Sequence, residues 1–598
     1  MKHLLTILLL MTITASVSAQ AITTYSYNPI TTYRVYPYTT IPDSYLVDGI
    51  SLRTCPGEFI ATTFIVRSTE TLNSFLPIPT DINNGVFSID SSNIDIKIVK
   101  CWYQKGDDMH PESPTMREFL PELLLNDDSL VQVSYISDTE GWNQLKTSTG
   151  YHNINNATEG DNYWQVDDSP ILLPVQIDAN TNKQFWVTIH VPNGTPSGTY
   201  SGSIALTEDG ISLKEFGLSV EVLPFTLPES PIIVTLYNYL RLDSLTAPRL
   251  SQYWGGFNQV QSALVEMKNH GLTNVVIGWG TTNWDSLKEL VDMESELNFD
   301  MDTVFYWTYS FVDYAHTHYQ TEAEVTDRCT QVINFFNTNY GTTANNIYFY
   351  PDDEHDLTIA PMPDLIKACT DLGGKTQSAQ DSTYAMGALN YDGSNGGELG
   401  PLLDMAILAG SDVTYYPVLN GYHQAGLKIG SYGNPQSGEE KPLTFRRNYG
   451  LLLWQYNVDY SGTYGLAQGS QGSGPLWNDW YANYQYKMHC FVYPTTNGIV
   501  GTIQFEGFRE GVNDIRYVTK LEMAIVDARQ RGIDTTSAEA YLNSLHSSQL
   551  SSLNLDTVRN DIINHIIILE GQSIPGFEFS YLLLALVLLP FIYSKRNQ

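Results

Sequence analysis

The sequence predicts a multidomain fold. It has an N-terminal β-sandwich over residues 24–225, an α/β (β/α)8 TIM-like barrel over 230–535, a C-terminal helical segment over 536–570 and a hydrophobic segment over 574–598. Three observations predict it. Short alternating apolar and polar runs, punctuated by turn residues, fill the first part, where helical patterns are scarce. Past Leu227-Pro-Glu-Ser-Pro231 the pattern changes to alternating strands and helices over about 300 residues, a length that suits eight β/α units. The chain then ends in an apolar run closed by Lys595-Arg596.

Residues 1–19 read as a secretory signal: Lys2 and His3, an apolar run from Leu4 to Ile13, then Val17-Ser18-Ala19 with cleavage after Ala19. In the sandwich, Phe185–Val191 and Thr199–Leu206 around the turn-rich Pro192–Gly198 predict a hairpin, and Ser212–Val222 a further strand. In the barrel, Ile232–Tyr239, Thr273–Trp279, Thr303–Trp307 and Ile347–Tyr350 read as strands. Gln259–Asn269, Ser286–Leu297 and Glu322–Asn337 read as the helices between them. Later strands are expected at Lys375–Ala379, Leu403–Leu408, Leu427–Ser431 and Leu451–Gln455. No Gly-x-Gly-x-x-Gly or Walker sequence opens any helix, so nucleotide binding has no support.

Acidic residues outnumber basic ones by 65 to 31, for a formal net charge of −34. That excludes nucleic acid as a partner, since phosphate binding needs clustered Lys and Arg. It fits an exposed surface domain. The five cysteines show no Cys-x-x-Cys spacing. After export, Cys55 with Cys101 and Cys329 with Cys369 are the pairings open to them, and Cys490 reads as a buried thiol. Asp352 and Asp356 lack the repeating oxygen-ligand spacing of a calcium loop. No metal or cofactor is expected, and the sequence points to no particular protein partner.

The segment Asn346–Asp356 carries the most chemistry. An apolar, aromatic run reads as the fourth barrel strand, and at its C-terminal end stand Asp352-Asp353-Glu354. Catalytic groups sit at that end of barrel strands because the loops there build the active face. Adjacent acids at that point suit acid/base work on a glycosidic bond; the competing reading is a solvated acidic turn. Tyr415, Tyr416, Tyr432, Trp454, Trp477 and Trp480 give the second half either a sugar-stacking face or ordinary core.

Four blocks line up with one family. They are Pro196–Ile204 leading to Leu223-Pro224; Asp353-Glu354; Arg446-Arg-Asn-Tyr-Gly450 with Leu451–Trp454; and Val492-Tyr-Pro494 with Gly498 and Glu506-Gly-Phe-Arg509-Glu-Gly511 running to Tyr517. Together, over about residues 165–530, they resemble glycoside hydrolase family 123 and its relatives with the DUF4091 catalytic domain. The resemblance implies a sandwich followed by a barrel and an exo-acting β-N-acetylgalactosaminidase activity, with the family's acid pair at Asp353 and Glu354. Here Asp352 precedes the pair and His355-Asp356 follow it, where many relatives continue with Pro.

Chemistry supports the pair independently. A retaining glycosidase with a protein nucleophile holds its carboxyls about 5–5.5 Å apart across the bond. Neighbouring residues on an extended chain point apart instead. They suit substrate assistance, in which the sugar's 2-acetamido oxygen attacks the anomeric carbon. Glu354, its pKa raised by burial, then serves as general acid and base, and Asp353 accepts the acetamide N–H. In this scheme Tyr432 orients the acetamide oxygen and Trp454 floors the pocket. Glu506 and Arg509 either touch substrate or form an ion pair behind the site.

At the C-terminus, Ile574-Pro-Gly-Phe577, the run Phe579–Tyr593 and Lys595-Arg596 resemble PGF-CTERM-type surface-sorting tails. The run is shorter than the roughly 20 residues a bilayer prefers. The resemblance implies export and retention at the cell surface, by a single-pass membrane anchor or a lipid-linked processed tail. The leading expectation is a surface-held glycoside hydrolase that removes a terminal β-linked N-acetylhexosamine, foremost N-acetylgalactosamine, from a glycan or glycoconjugate by substrate-assisted retaining hydrolysis. The alternatives are a non-catalytic carbohydrate-binding surface protein and a glycosidase of the same fold with another sugar specificity.

Overall fold

The computed structural model of the chain describes residues 22–571 except 106–116, 157, 159–163, 241, 243–249, 251–255, 278–282, 308–310, 313–317, 395–399, 411–413, 415, 439, 469–475, 479 and 481–488. The expected signal segment and the hydrophobic tail lie outside the described residues. Among the described residues, no helix is long and apolar enough to cross a membrane.

The N-terminal part is built on two large packed sheets, with a small antiparallel sheet of Val131–Ser137, Glu140–Thr147 and Gly150–Asn153 besides. One runs in the order Ile22–Tyr25, Phe59–Ser68, Asn182–His190, Ile94–Lys105, Arg117–Leu125, Ile499–Thr502, Val492–Pro494. The other runs Val175–Ile177, Leu72–Pro79, Gly198–Glu208, Ile211–Val222, Gly49–Thr54. Phe64, Ile98, Phe185 and Val187 of the first interdigitate with Phe75, Ile204, Phe216 and Leu218 of the second. The expected hairpin does not form: Asn182–His190 and Gly198–Glu208 lie in different sheets, and Pro192–Gly198 carries the chain between them. Periodicity marks each strand but not its partner. His190 pairs with Phe59, and Gly198 with Val222. The hairpin that does form turns at Asp209-Gly210, both at positive φ (48° and 77°).

Eight parallel strands follow: β1 (Ile233–Val234), β2 (Val276–Ile277), β3 (Val304–Tyr306), β4 (Ile347–Phe349), β5 (Lys375–Gln380), β6 (Met405–Ala409), β7 (Lys428–Tyr432) and β8 (Tyr460–Ser461). Their order is β1-β8-β7-β6-β5-β4-β3-β2. The two ends of that sheet are thus consecutive in the chain, and the Val234 carbonyl accepts the Thr273 and Asn274 N–H groups at 3.0 and 3.3 Å. Between strands run α1 (Phe257–Asn269), α2 (Trp284–Glu296), α3 (Glu322–Tyr340), α4 (Met362–Thr370), α5 (Ser382–Leu389), α6 (Tyr416–Gln424), α7 (Pro442–Asn448) and α8 (Leu451–Gln455). The ends of α3 follow local chemistry: a Thr321/Glu324 capping box opens it and Gly341 at φ 75° closes it.

One expected strand is corrected. Leu451–Gln455 is α8, and the eighth strand is Tyr460–Ser461. A run of only four apolar residues, Leu451–Trp454, fits a buried strand or a helix turn equally well. Here Leu451, Leu453 and Trp454 are buried while Leu452 is only partly so.

The long helix α9 (Ile503–Gln530) binds the two halves together. The strand that enters it, Ile499–Thr502, pairs with Arg117–Leu125 of the sandwich. Gly507 and Gly511, one turn apart, admit α7 and Gly450: a Cβ would fall 2.2 Å from the Pro442 carbonyl at Gly507 and 2.7 Å from the Arg446 carbonyl at Gly511. Arg446 pairs with Asp514 at 2.7 Å. Arg559, from α11 (Leu555–Leu569), pairs with Asp514 at 2.6 Å and also with Glu510. Helix α10 (Thr536–Ser547) and α11 then pack on α9 through Leu545, Ile562, Ile563 and Ile566. All five cysteines are thiols, with Cys329 and Cys369 facing each other between α3 and α4.

Candidate active site

The C-terminal ends of the parallel strands gather a cluster around the acid pair. β4 is buried along its length, and Tyr350 behind it is 1 % exposed. The chain then turns sharply. Asp353 N–H donates to Asp352 Oδ1 at 2.8 Å, Glu354 has φ 56°, and Glu354 N–H donates to the Ala379 carbonyl of β5 at 2.9 Å. A left-handed conformation at a glutamate is sparsely populated and held by its surroundings. It lets adjacent acids face different partners.

Tyr350 Oη donates to Asp353 Oδ1 at 2.6 Å, and Tyr432 Oη, at the end of β7, donates to Glu354 Oε1. The Ala379 N–H in turn donates to the Tyr350 hydroxyl at 3.3 Å. Asp353 is open to solvent on one side, yet protein crowds its carboxyl. Desolvation raises its pKa to about 6, with the neighbouring Glu354 and Asp352 charges adding to the rise and the Tyr350 hydrogen bond opposing it. Asp352 is buried, and His355 is an exposed residue with Nδ1 against the Asp353 carbonyl.

Aromatic rings wall one side. Trp307, just past β3, packs on Tyr350 with centroids 4.8 Å apart and edge-on to Tyr237, past β1, at 4.7 Å. Tyr237 lies near both Asp353 and Tyr432; burial first, then these neighbours, pushes its phenol well above the usual range. Sequence reasoning missed Tyr237 and Trp307 and treated Tyr350 as strand core. Their position at the strand ends is the signal that could have found them.

The six residues singled out from sequence fall in three places. Asp353, Glu354 and Tyr432 come together, but the Tyr432 hydroxyl is spent on Glu354 rather than left for a ligand's acetamide. Trp454 does not floor this pocket. On α8 it donates Nε1–H to Glu522 at 2.9 Å, stacks on His546 at 4.0 Å, and belongs to the core of the C-terminal helices. Its expected place rested on Leu451–Gln455 being a strand. Glu506 and Arg509 also lie apart from the acid pair, ion-paired on α9 against the sandwich. Glu506 Oε2 accepts from Trp186 Nε1 of the sandwich at 3.0 Å. Burial pushes against its charge, but the Arg509 guanidinium, with the Trp186 N–H, holds the carboxyl below the usual carboxylate range. Of the aromatics noted, Trp477 is core, its Nε1–H on the Pro494 carbonyl, and Trp480 lies over Arg117 of the sandwich.

This architecture is similar to solved structures. The family 123 glycoside hydrolase from Clostridium perfringens, described for glycolipid glycan hydrolysis, aligns over 91% of this chain and 98% of its own with a TM-score of 0.57 at 14% identity. That likeness is one of fold. A family 39 glycoside hydrolase from Bacteroides cellulosilyticus WH2 aligns over 70% of this chain and 80% of its own at a TM-score of 0.33 and 10% identity, too distant to carry an argument. No protein-family profile matches the chain, and a search of curated proteins finds no match.

Proposed function

We propose that the chain is a glycoside hydrolase of the family 123 kind. In this reading it releases a terminal β-linked N-acetylhexosamine, most naturally N-acetylgalactosamine, by substrate-assisted retaining hydrolysis. The eight parallel strands serve as a (β/α)8 barrel whose C-terminal face is the active face. The observation that carries the reading is the adjacent Asp353 and Glu354 at the end of β4, each held by its own tyrosine. The fold shared with the Clostridium perfringens enzyme supports it, and points to a glycoconjugate as substrate.

In this mechanism Glu354 protonates the glycosidic oxygen as the acetamide oxygen attacks the anomeric carbon. Asp353 accepts the acetamide N–H and stabilises the charge of the cyclic intermediate. Glu354 then takes a proton from the water that opens it. Tyr432 holds Glu354 in place, and the Trp307 ring offers an apolar face to the sugar.

The signal-like N-terminus and the apolar, basic-ended tail support a place at the cell surface, through a single-pass anchor or a lipid-linked tail. The test is hydrolysis of aryl β-GalNAc, β-GlcNAc and β-galactoside side by side, with a thiazoline analogue of the N-acetyl sugar as inhibitor. Cleavage of the N-acetyl substrates with thiazoline inhibition is expected. Preference for the plain galactoside, or trapping of a covalent sugar by a 2-fluoro glycoside, overturns the mechanism. No cleavage of any of them favours a carbohydrate-binding role.

A further inference from the structure

Where α1 and α9 meet the first sheet of the sandwich, a cavity of about 250 Å³ is lined by Asp95, Lys97, Trp186, Glu266, Glu506 and Arg509. Next to it stands His270, 1 % exposed, its ring stacked on Phe505 with centroids 3.7 Å apart and planes at 7°. His270 Nδ1 lies 2.8 Å from the Glu266 carbonyl. A carbonyl only accepts, so Nδ1 carries a hydrogen. The ring's other nitrogen, Nε2, is buried, has no hydrogen-bond partner, and lies 3.3 Å from Glu506 Oε1. Trp186 and Arg509 both donate to Glu506 Oε2, so Oε1 is the oxygen left facing the ring.

A neutral imidazole so fixed presents a lone pair to a carboxylate, and only a proton or a cation between them makes that contact favourable. We propose that Glu266, His270 and Glu506 form a divalent-cation site, suited to a first-row ion such as Zn²⁺, that ties α1 to α9 beside the sandwich.

Four features fit. An Nδ1–H donated to a backbone carbonyl is the usual way a metal-binding histidine is oriented. The 3.3 Å separation of Nε2 and Oε1 is the span of two ligands each about 2.1 Å from one ion at a near-tetrahedral angle. Glu266, one helical turn before His270, brings a third ligand, with one atom of each residue within 4.8 Å of the others. That spread calls for a small rotation of the half-buried Glu266 side chain, or for a water between it and the ion. Lastly, Arg509 and Lys97 offset two of the three carboxylates Asp95, Glu266 and Glu506, which leaves one net negative charge before an ion enters. An imidazole with two carboxylates favours a first-row transition ion or zinc over Mg²⁺ or Ca²⁺. The site stands apart from Asp353 and Glu354, so the proposal does not depend on the hydrolase reading.

The test uses the full chain with any affinity tag removed, stripped by chelator and titrated with ZnCl₂, and read by calorimetry, elemental analysis and thermal melting. One zinc per chain and a melting point raised by zinc are expected. Glu266→Gln, at the half-exposed rim, should keep the zinc-free melting point and bind zinc about 10–100-fold more weakly. His270→Ala should abolish binding, but it also opens a buried position, so Glu266→Gln is the deciding variant. If the unsubstituted protein takes up no stoichiometric zinc, or Glu266→Gln binds as tightly as it does, the site is a histidinium–glutamate ion pair and the proposal fails.

Discussion

At the residue scale the proposed chemistry turns on two carboxylates and the hydroxyls that hold them. If Glu354 is the general acid, Glu354→Gln lowers the rate by about 10²–10⁴ on a poor leaving group, and by less on an activated aryl glycoside whose oxygen needs no proton. Equal losses on both substrates would remove Glu354 from that role. Asp353 must be ionised to accept the acetamide N–H. With its pKa raised to about 6, activity should fall as pH drops through that value. Tyr350→Phe removes a hydrogen bond that favours the carboxylate, so this acid limb should move to higher pH in a rate–pH profile. The stability consequence has the opposite sense. A folded pKa above the unfolded value of about 3.9 favours the fold while Asp353 is protonated, fully below about pH 4, and that contribution is lost as pH rises through 6. Asp353→Asn should therefore melt higher than the unsubstituted protein at pH 7, and differ less from it at pH 4.

At the element scale, two helices carry testable strain or packing. Glu294 on α2 is 2 % exposed, and burial raises its carboxyl to about 8. Its contribution to stability is therefore full below about pH 4 and lost as pH rises through 8. Glu294→Gln should raise the melting temperature at pH 9 and change it little at pH 4. Helix α8 offers the complementary case. Trp454→Ala empties a site among the C-terminal helices and should cost about 3–5 kcal/mol in chemical denaturation, with KM unchanged. A raised KM without loss of stability would return Trp454 to the substrate pocket. The misreading of this element has a plain cause: four apolar residues after a glycine carry no period long enough to separate helix from strand.

At the scale of the whole molecule, the sandwich and the parallel sheet share one junction, and the blocks that carried the family resemblance mostly build it. Gly507 and Gly511 allow the close approach of α7 and Gly450, Arg446 and Arg559 flank Asp514, and Glu506 reaches Trp186. Glu506→Gln should accordingly destabilise by about 3–5 kcal/mol, because it leaves a buried guanidinium unpaired, and should leave the leaving-group dependence of hydrolysis intact. The last described helix, α11, completes that junction and ends at Leu569. Truncation before Gly571 is thus expected to release a soluble enzyme with unchanged kinetics, checked by cell fractionation and assay. Misfolding of the truncated chain, or full-length protein free in the medium, would overturn the anchor.

The sequence by itself determined where strands and helices alternate and that the fourth parallel strand ends in Asp353-Glu354. These follow from periodicity, turn chemistry and composition, which are properties of neighbouring residues. Only the tertiary structure decided that Asn182–His190 and Gly198–Glu208 join different sheets and that the eighth strand is Tyr460–Ser461. It also decided that Tyr237, Trp307, Tyr350 and Tyr432 meet at the acid pair while Trp454, Glu506 and Arg509 do not. Those facts depend on which distant surfaces pack together, and a burial pattern reports that a face is covered without reporting by what.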